Sequence, residues 1–177
     1  MSKLSNFTYD ELFIGQTARY TKCIEQRDIL LFAAVSGDVN PVHLDPEFAA
    51  TTPFKEPIAH GMLTGAIISA AIALELPGPG SIYLSQSLRF HRPVKIGDTV
   101  TVELEISAKR DGKQFITLQC SAFNQHNKQV VSGTAEVKAP EQKLELERPA
   151  TPDIEIRQSA AVSQAGTSSP ACSTNWR

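Results

Sequence analysis

The sequence predicts an α+β domain in which an antiparallel sheet curls around one long apolar helix. Three observations lead there. Residues 60–76, HGMLTGAIISAAIALEL, are apolar on nearly every helical face, and a helix without a polar side must be enclosed by protein. Residues 99–106 switch to a period of two. Val100, Val102, Leu104 and Ile106 alternate with Thr99, Thr101, Glu103 and Glu105, the pattern of a half-buried strand. Further strand-like runs follow one another through short polar turns, as in a meander, and strands grouped beside a helix are the α+β layout.

Taken in order, residues 16–24 read as a first strand. Residues 26–35, QRDILLFAAV, place Ile29, Leu30, Phe32 and Ala33 at helical spacing. Ser36-Gly37 ends that helix, because glycine accepts the left-handed conformation of a C-terminal cap. Asp45-Pro46-Glu47 starts a short helix, with Asp45 as N-cap and Pro46 in the first turn. After Pro77-Gly78-Pro79-Gly80, strands are predicted near 81–91, 99–106, 113–123 and 128–138. An Asp-Gly hairpin turn falls within 108–113 and a polar turn at 124–128. The domain spans 1–140. Residues 141–177 mix charge, Pro, Ser, Thr and Gln without sustained periodicity, and read as a flexible tail or a linker.

Composition excludes several classes. The chain has 177 residues, a net charge of −2, 41% apolar and 20% charged residues, ordinary for a soluble domain. There is no excess of Lys and Arg for a nucleic-acid footprint. The N-terminus does not read as a secretory leader. The longest apolar run, near 62–74, is short for a bilayer, so no membrane partner is expected. Cys23, Cys120 and Cys172 are an odd, widely spaced set that reads as reduced thiols of a cytoplasmic protein.

The chemistry concentrates in S-G-D-V-N-P-V-H-L-D, residues 36–45. Asp38 is either a general acid/base or the acceptor of an Asx-turn near Asn40. His43 is a base, a water-holder or an imidazole satisfied by a carboxylate such as Asp45. No metal is expected, since no His or Cys lies at ligand spacing. At His60-Gly61 the apolar helix begins. The first N–H groups of a helix lack internal partners and carry the positive end of the dipole. With no side chain on Gly61 to block an approaching oxygen, they can form an oxyanion hole, or the glycine merely allows a tight entry turn. Ser69, two turns on, reads first as a hydroxyl bonded back to a main-chain carbonyl.

F-A-A-V-S-G-D-V-N-P-V-H-L-D-P-E-F-A-A (32–50), H-G-M-L-T-G (60–65) and Q-S-L-R-F-H-R-P-V-K-I-G-D (86–98) resemble the three signature blocks of the MaoC-like (R)-specific enoyl-CoA hydratase family. The resemblance runs through most of 10–138. It implies a hot-dog fold, a homodimer with its acyl tunnel near the subunit interface, and a trans-2-enoyl-CoA thioester as substrate. Asp38 and His43 become the catalytic pair, Gly61 the oxyanion donor, and Asn40 and Ser69 supporting residues. His60 and Met62 are assigned to substrate binding, with Ile67 and Ile68 as further apolar lining. Arg89, Arg92 and Lys95 are candidates for CoA phosphates or a solvated strand edge. Hydration moves no electrons, so the resemblance implies no cofactor. It also implies fatty-acid breakdown or the supply of (R)-3-hydroxyacyl units for polyhydroxyalkanoate synthesis. The competing readings are an acyl-CoA thioesterase of the same fold and a non-catalytic acyl-thioester-binding module of a larger protein.

Overall fold

The computed structural model describes residues 3–157. Strand β1 (Lys3–Ser5) is followed by a 3-10 turn at Tyr9–Glu11. Then come strand β2 (Thr17–Cys23) and helices α1 (Gln26–Ser36), α2 (Pro41–Leu44), α3 (Pro46–Thr51) and α4 (Gly61–Leu74). Strands β3 (Ile82–Phe90), β4 (Thr99–Arg110), β5 (Phe115–Phe123), β6 (Gln129–Lys138) and β7 (Glu145–Glu147) complete the chain. The large sheet has the order β2-β4-β5-β6-β3, and every pairing in it is antiparallel. Its middle is the predicted meander of β4, β5 and β6. Edge strand β3 enters from the end of α4 and pairs with β6.

Alternation decides which face of the sheet meets α4. Val100, Val102, Leu104 and Ile106 are buried, as are Ile116, Leu118, Cys120 and Ala122 of β5. They pack with Leu63, Ile67, Ile68, Ala71 and Ile72 of α4 in one core. Burial of a Val, Leu or Ile side chain contributes about 1.5–3 kcal/mol each, so the contact between sheet and helix dominates the stability. A sheet folded around a single apolar helix is the hot-dog arrangement.

Two expectations need correction. Helix α4 is not fully enclosed: Met62, Ala66, Ser69 and Ala73 are exposed. Their spacing places them on one side of the helix. The open side consists mostly of small or apolar residues, so hydrophobicity alone did not distinguish it from the core side. The predicted tail also begins later than residue 141. Glu145–Glu147 pair with Lys3–Ser5, setting Leu146 opposite Leu4. Asn6, fully buried, donates from Nδ2 to the carbonyls of Pro79 and Gln142 and accepts the Leu144 N–H, each at 2.9 Å. Asn6 and the segment 142–144 are thereby tied to the turn that follows α4. The rest of the predicted tail, residues 158–177 with Cys172, lies outside the described residues.

Candidate active site

Local rules place the catalytic candidates. Gly37 caps α1 with φ +77°, a left-handed conformation costly for other residues. The chain leaves α1 there and turns through Asp38. The Asp38 Oδ1 accepts the Asn40 N–H at 3.2 Å, the Asx-turn foreseen as the bland alternative. Asn40 Oδ1 in turn accepts the Val42 N–H at 3.2 Å and N-caps α2, with Pro41 in its first turn. Asn40 thus starts the short helix that carries His43.

His43 is only 8% exposed. Its Nδ1 lies 2.7 Å from the Ile58 carbonyl. A carbonyl only accepts, so Nδ1 carries the hydrogen, and Nε2 of the neutral ring is left as an acceptor. Asp45, foreseen as a partner for His43, is occupied in capping α3 through the N–H groups of Glu47 and Phe48. His43 Nε2 stands 4.0 Å from Asp38 Oδ2, and the Asp38 side chain is 51% exposed. That separation is too long for a direct hydrogen bond. One oxygen about 2.8 Å from each atom would bridge it. The turn and the acid/base readings of Asp38 are therefore compatible: one carboxylate oxygen holds the loop while the other faces the imidazole.

Gly61 is the first residue of α4, and among the described residues nothing accepts its N–H. The N-cap residue, His60, makes no side-chain cap bond. The positive end of the helix is consequently unquenched beside His43. A cavity of about 270 Å³ opens there, lined by His43, Phe54, Ile58, Gly61, Phe90 and Val131 among others. The ring of Phe90 leans over Gly61, 3.4 Å from where a Cβ would stand. Phe54, Ile58 and Phe90 were not foreseen, because apolar residues far apart in sequence carry no local signal of a shared wall.

His60 is the main correction. Its assignment to substrate binding does not fit a side chain 2% exposed. Its Nε2 donates to the Asp38 carbonyl at 2.9 Å, and its ring stacks on His43 with centroids 3.8 Å apart. Phe32 packs on it at 5.0 Å. Asp38, His43 and His60 bring donor atoms within 4.8 Å of one another, but His43 Nδ1 and His60 Nε2 are engaged by carbonyls.

Met62 and Ser69 lie in a second concavity of about 460 Å³ along the open side of α4, with Phe32, Gly65, Ala66 and Tyr83. Burial pushes the Tyr83 phenol up to about 12, with the Cys120 charge a smaller cause, and its hydroxyl donates to Gln86 Oε1 at 2.9 Å. The expected back-bond of Ser69 is absent among the described hydrogen bonds. Ile67 and Ile68 are in the core rather than lining either concavity. Arg92 donates to the Gln129 carbonyl, and Lys95 pairs with Glu56, so both cations are held by their own chain.

Comparison with known proteins identifies relatives of the whole domain. The model of the MaoC like domain matches residues 13–127. The (R)-specific enoyl-CoA hydratase of Aeromonas caviae is 49% identical over 129 residues, 73% of this chain and 96% of that protein. The 3-hydroxybutyryl-CoA dehydratase of Methylorubrum extorquens is 41% identical over 132 residues, 75% of this chain and 83% of that one. Among solved structures, the unliganded R-hydratase PhaJ1 from Pseudomonas aeruginosa superposes with a TM-score of 0.83 at 59% identity. It covers 88% of this chain and 99% of its own. With the family model covering residues 13–127 and these relatives, this chain belongs to the MaoC-like domain family.

Proposed function

We propose that this chain is an (R)-specific enoyl-CoA hydratase, a hydro-lyase that adds water to a trans-2-enoyl-CoA and yields (R)-3-hydroxyacyl-CoA. The observation that carries the reading is the 4.0 Å gap between His43 Nε2 and Asp38 Oδ2 beside an unengaged Gly61 N–H. A water in that gap gives one hydrogen to each acceptor, which aims its lone pair at C3 of the substrate. Asp38 takes the proton as the C3–O bond forms. Electron density moves through C2 to the thioester oxygen, where the Gly61 N–H and the helix terminus receive it. The Asp38 carboxylic acid then returns the proton to C2, so the water is divided over one face of the double bond. His43 holds the water through Nε2 while the Ile58 carbonyl fixes its ring.

The acyl chain is assigned to the groove of Met62, Gly65, Ala66 and Ser69. That groove is open, and β3 beside it is an edge strand with Ile82, Leu84 and Phe90 exposed. A second copy of the chain would cover both, so a homodimer is part of the proposal. Sedimentation at twice the chain mass is the expected result. A cytoplasmic location belongs to it as well, consistent with free Cys23 and Cys120. Among the described residues no helix is long and apolar enough to cross a membrane.

The test is incubation with crotonyl-CoA while following the conjugated enoyl absorbance and free thiol. Loss of absorbance without thiol release is expected. Thiol release at constant enoyl absorbance would replace the hydratase with a thioesterase. No change in either signal over several chain lengths would leave a binding module.

A further inference from the structure

Three elements must keep register for the proposed chemistry: the loop of Asp38, helix α2 with His43, and the first turn of α4 with Gly61. One residue is joined to all three. His60 bonds the Asp38 carbonyl through Nε2, stacks at a 30° tilt on the His43 ring, and is the N-cap residue bonded through the backbone to Gly61. At 2% exposure it has almost no surface to offer a substrate. Phe32 of α1 backs its ring.

Its position as N-cap adds a second point. Asn, Asp, Ser and Thr are the common N-caps because their oxygens accept the free N–H groups of the first turn. Such a residue here would take the N–H of Met62 or Leu63 and quench part of the terminal dipole that the proposed reaction uses beside Gly61. An imidazole with its donor committed 22 residues away leaves the terminus open. The cost is visible in the other ring nitrogen, Nδ1, which is buried without a partner among the described residues. A residue chosen for stability alone would not orphan a polar atom there.

We infer that His60 is a positioning residue for the hydration, acting through Asp38 and His43 without touching substrate. The inference rests on the hydratase reading. The experiment compares His60→Gln, His60→Leu and His60→Asn for kcat, KM and thermal unfolding. It also follows the His43 Nδ1–H resonance by NMR. Glutamine sets a donor at the reach of Nε2 and keeps the Asp38 bond. Leucine keeps bulk without a donor. Asparagine is too short for the Asp38 carbonyl and favours capping α4.

A displacement of about 1 Å in a catalytic group costs on the order of 10²-fold. His60→Leu and His60→Asn should lose about that factor in kcat per folded molecule, with KM within about threefold. His60→Gln should recover at least about tenfold of it. Since all three variants lose the stacked ring, the His43 resonance is compared among them, and that of His60→Gln should differ from that of His60→Leu and His60→Asn. Wild-type kcat in His60→Leu overturns the inference. If the leucine variant does not fold, asparagine matching or exceeding glutamine overturns it instead. If the wild type does not hydrate crotonyl-CoA, the functional reading fails. The His43 resonance then still decides the positioning: coincident signals in His60→Gln and His60→Asn overturn it.

Discussion

The two ends of α4 meet the same physical demand in opposite ways. Every helix leaves free N–H groups at its start and free carbonyls at its finish. At the finish the chain answers its own need. The Ala71 carbonyl takes the Glu75 N–H at 2.9 Å and the Leu76 N–H at 3.3 Å, the Ile72 carbonyl takes the Gly78 N–H at 3.0 Å, and Asn6 ties the segment 142–144 to the turn beyond. At the start, His60 turns its ring away, and the Gly61 N–H faces a cavity. One end is built for stability and the other keeps a polar group available for something outside the chain. That difference locates the site more sharply than the presence of an acid and a histidine, which many turns contain.

The comparison breaks if changes at the two ends have interchangeable effects. The largest expected effect is Asp38→Asn. An amide oxygen still accepts the Asn40 N–H, so the loop holds, but the base is gone. Turnover of crotonyl-CoA should fall about 10²–10⁴-fold with substrate still bound; activity near wild type would remove Asp38 from the chemistry. Gly61→Pro comes next. Proline suits the first position of a helix, and the extended backbone of His60 (φ −57°, ψ 135°) tolerates a following proline. The change removes the N–H and sets ring carbons in its place, with Cβ 3.4 Å from the Phe90 ring, so substrate binding is measured beside the rate. A loss of about 10²–10³-fold in kcat with an unaltered unfolding midpoint is expected, and a normal rate would show that the donor is not used.

At the other end, Asn6→Ala should leave kcat within about twofold, because no part of the proposed chemistry touches it, while urea unfolding shows a loss of about 1–3 kcal/mol from unsatisfied main-chain groups. Reduced kcat at full stability would contradict the division of labour. The smallest effect concerns pH. A hydrogen bond from Lys143, followed by the Thr8 N–H, holds the Glu11 carboxyl below its usual range. A lowered folded pKa means that the unfolded chain binds the proton more readily. The contribution is therefore complete above about pH 4.3, the ordinary glutamate value, and is lost as pH falls through the lower folded value. Both groups are partly exposed, so the effect is modest. Lys143→Met should flatten the thermal midpoint against pH in that acidic window; an unchanged slope would separate this ion pair from the clamp.

Much of this molecule was legible without coordinates, and the legible parts share one property. The alternation of Val100 through Ile106, the stop at Gly37, the cap at Asp45 and the sharp turn holding Asp38 and Asn40 each depend on residues a few positions apart, where backbone geometry and hydrogen-bond reach leave few choices. The spacing of Asp38 and His43 belongs to the same class, and so does the free N–H at Gly61, which follows from helix geometry alone. Other features depend on residues brought together from far along the chain. Leu146 opposite Leu4, the Ile58 carbonyl that sets the His43 tautomer, the bond from His60 to Asp38 and the bare side of α4 are of this kind. A histidine next to Gly61 could have faced cavity or interior, and a helix apolar all round could have been wholly covered or left one side open. Those alternatives cost the same in local terms. They separate only when packing assigns each surface a neighbour, which is a property of the assembled core and not of any short stretch within it.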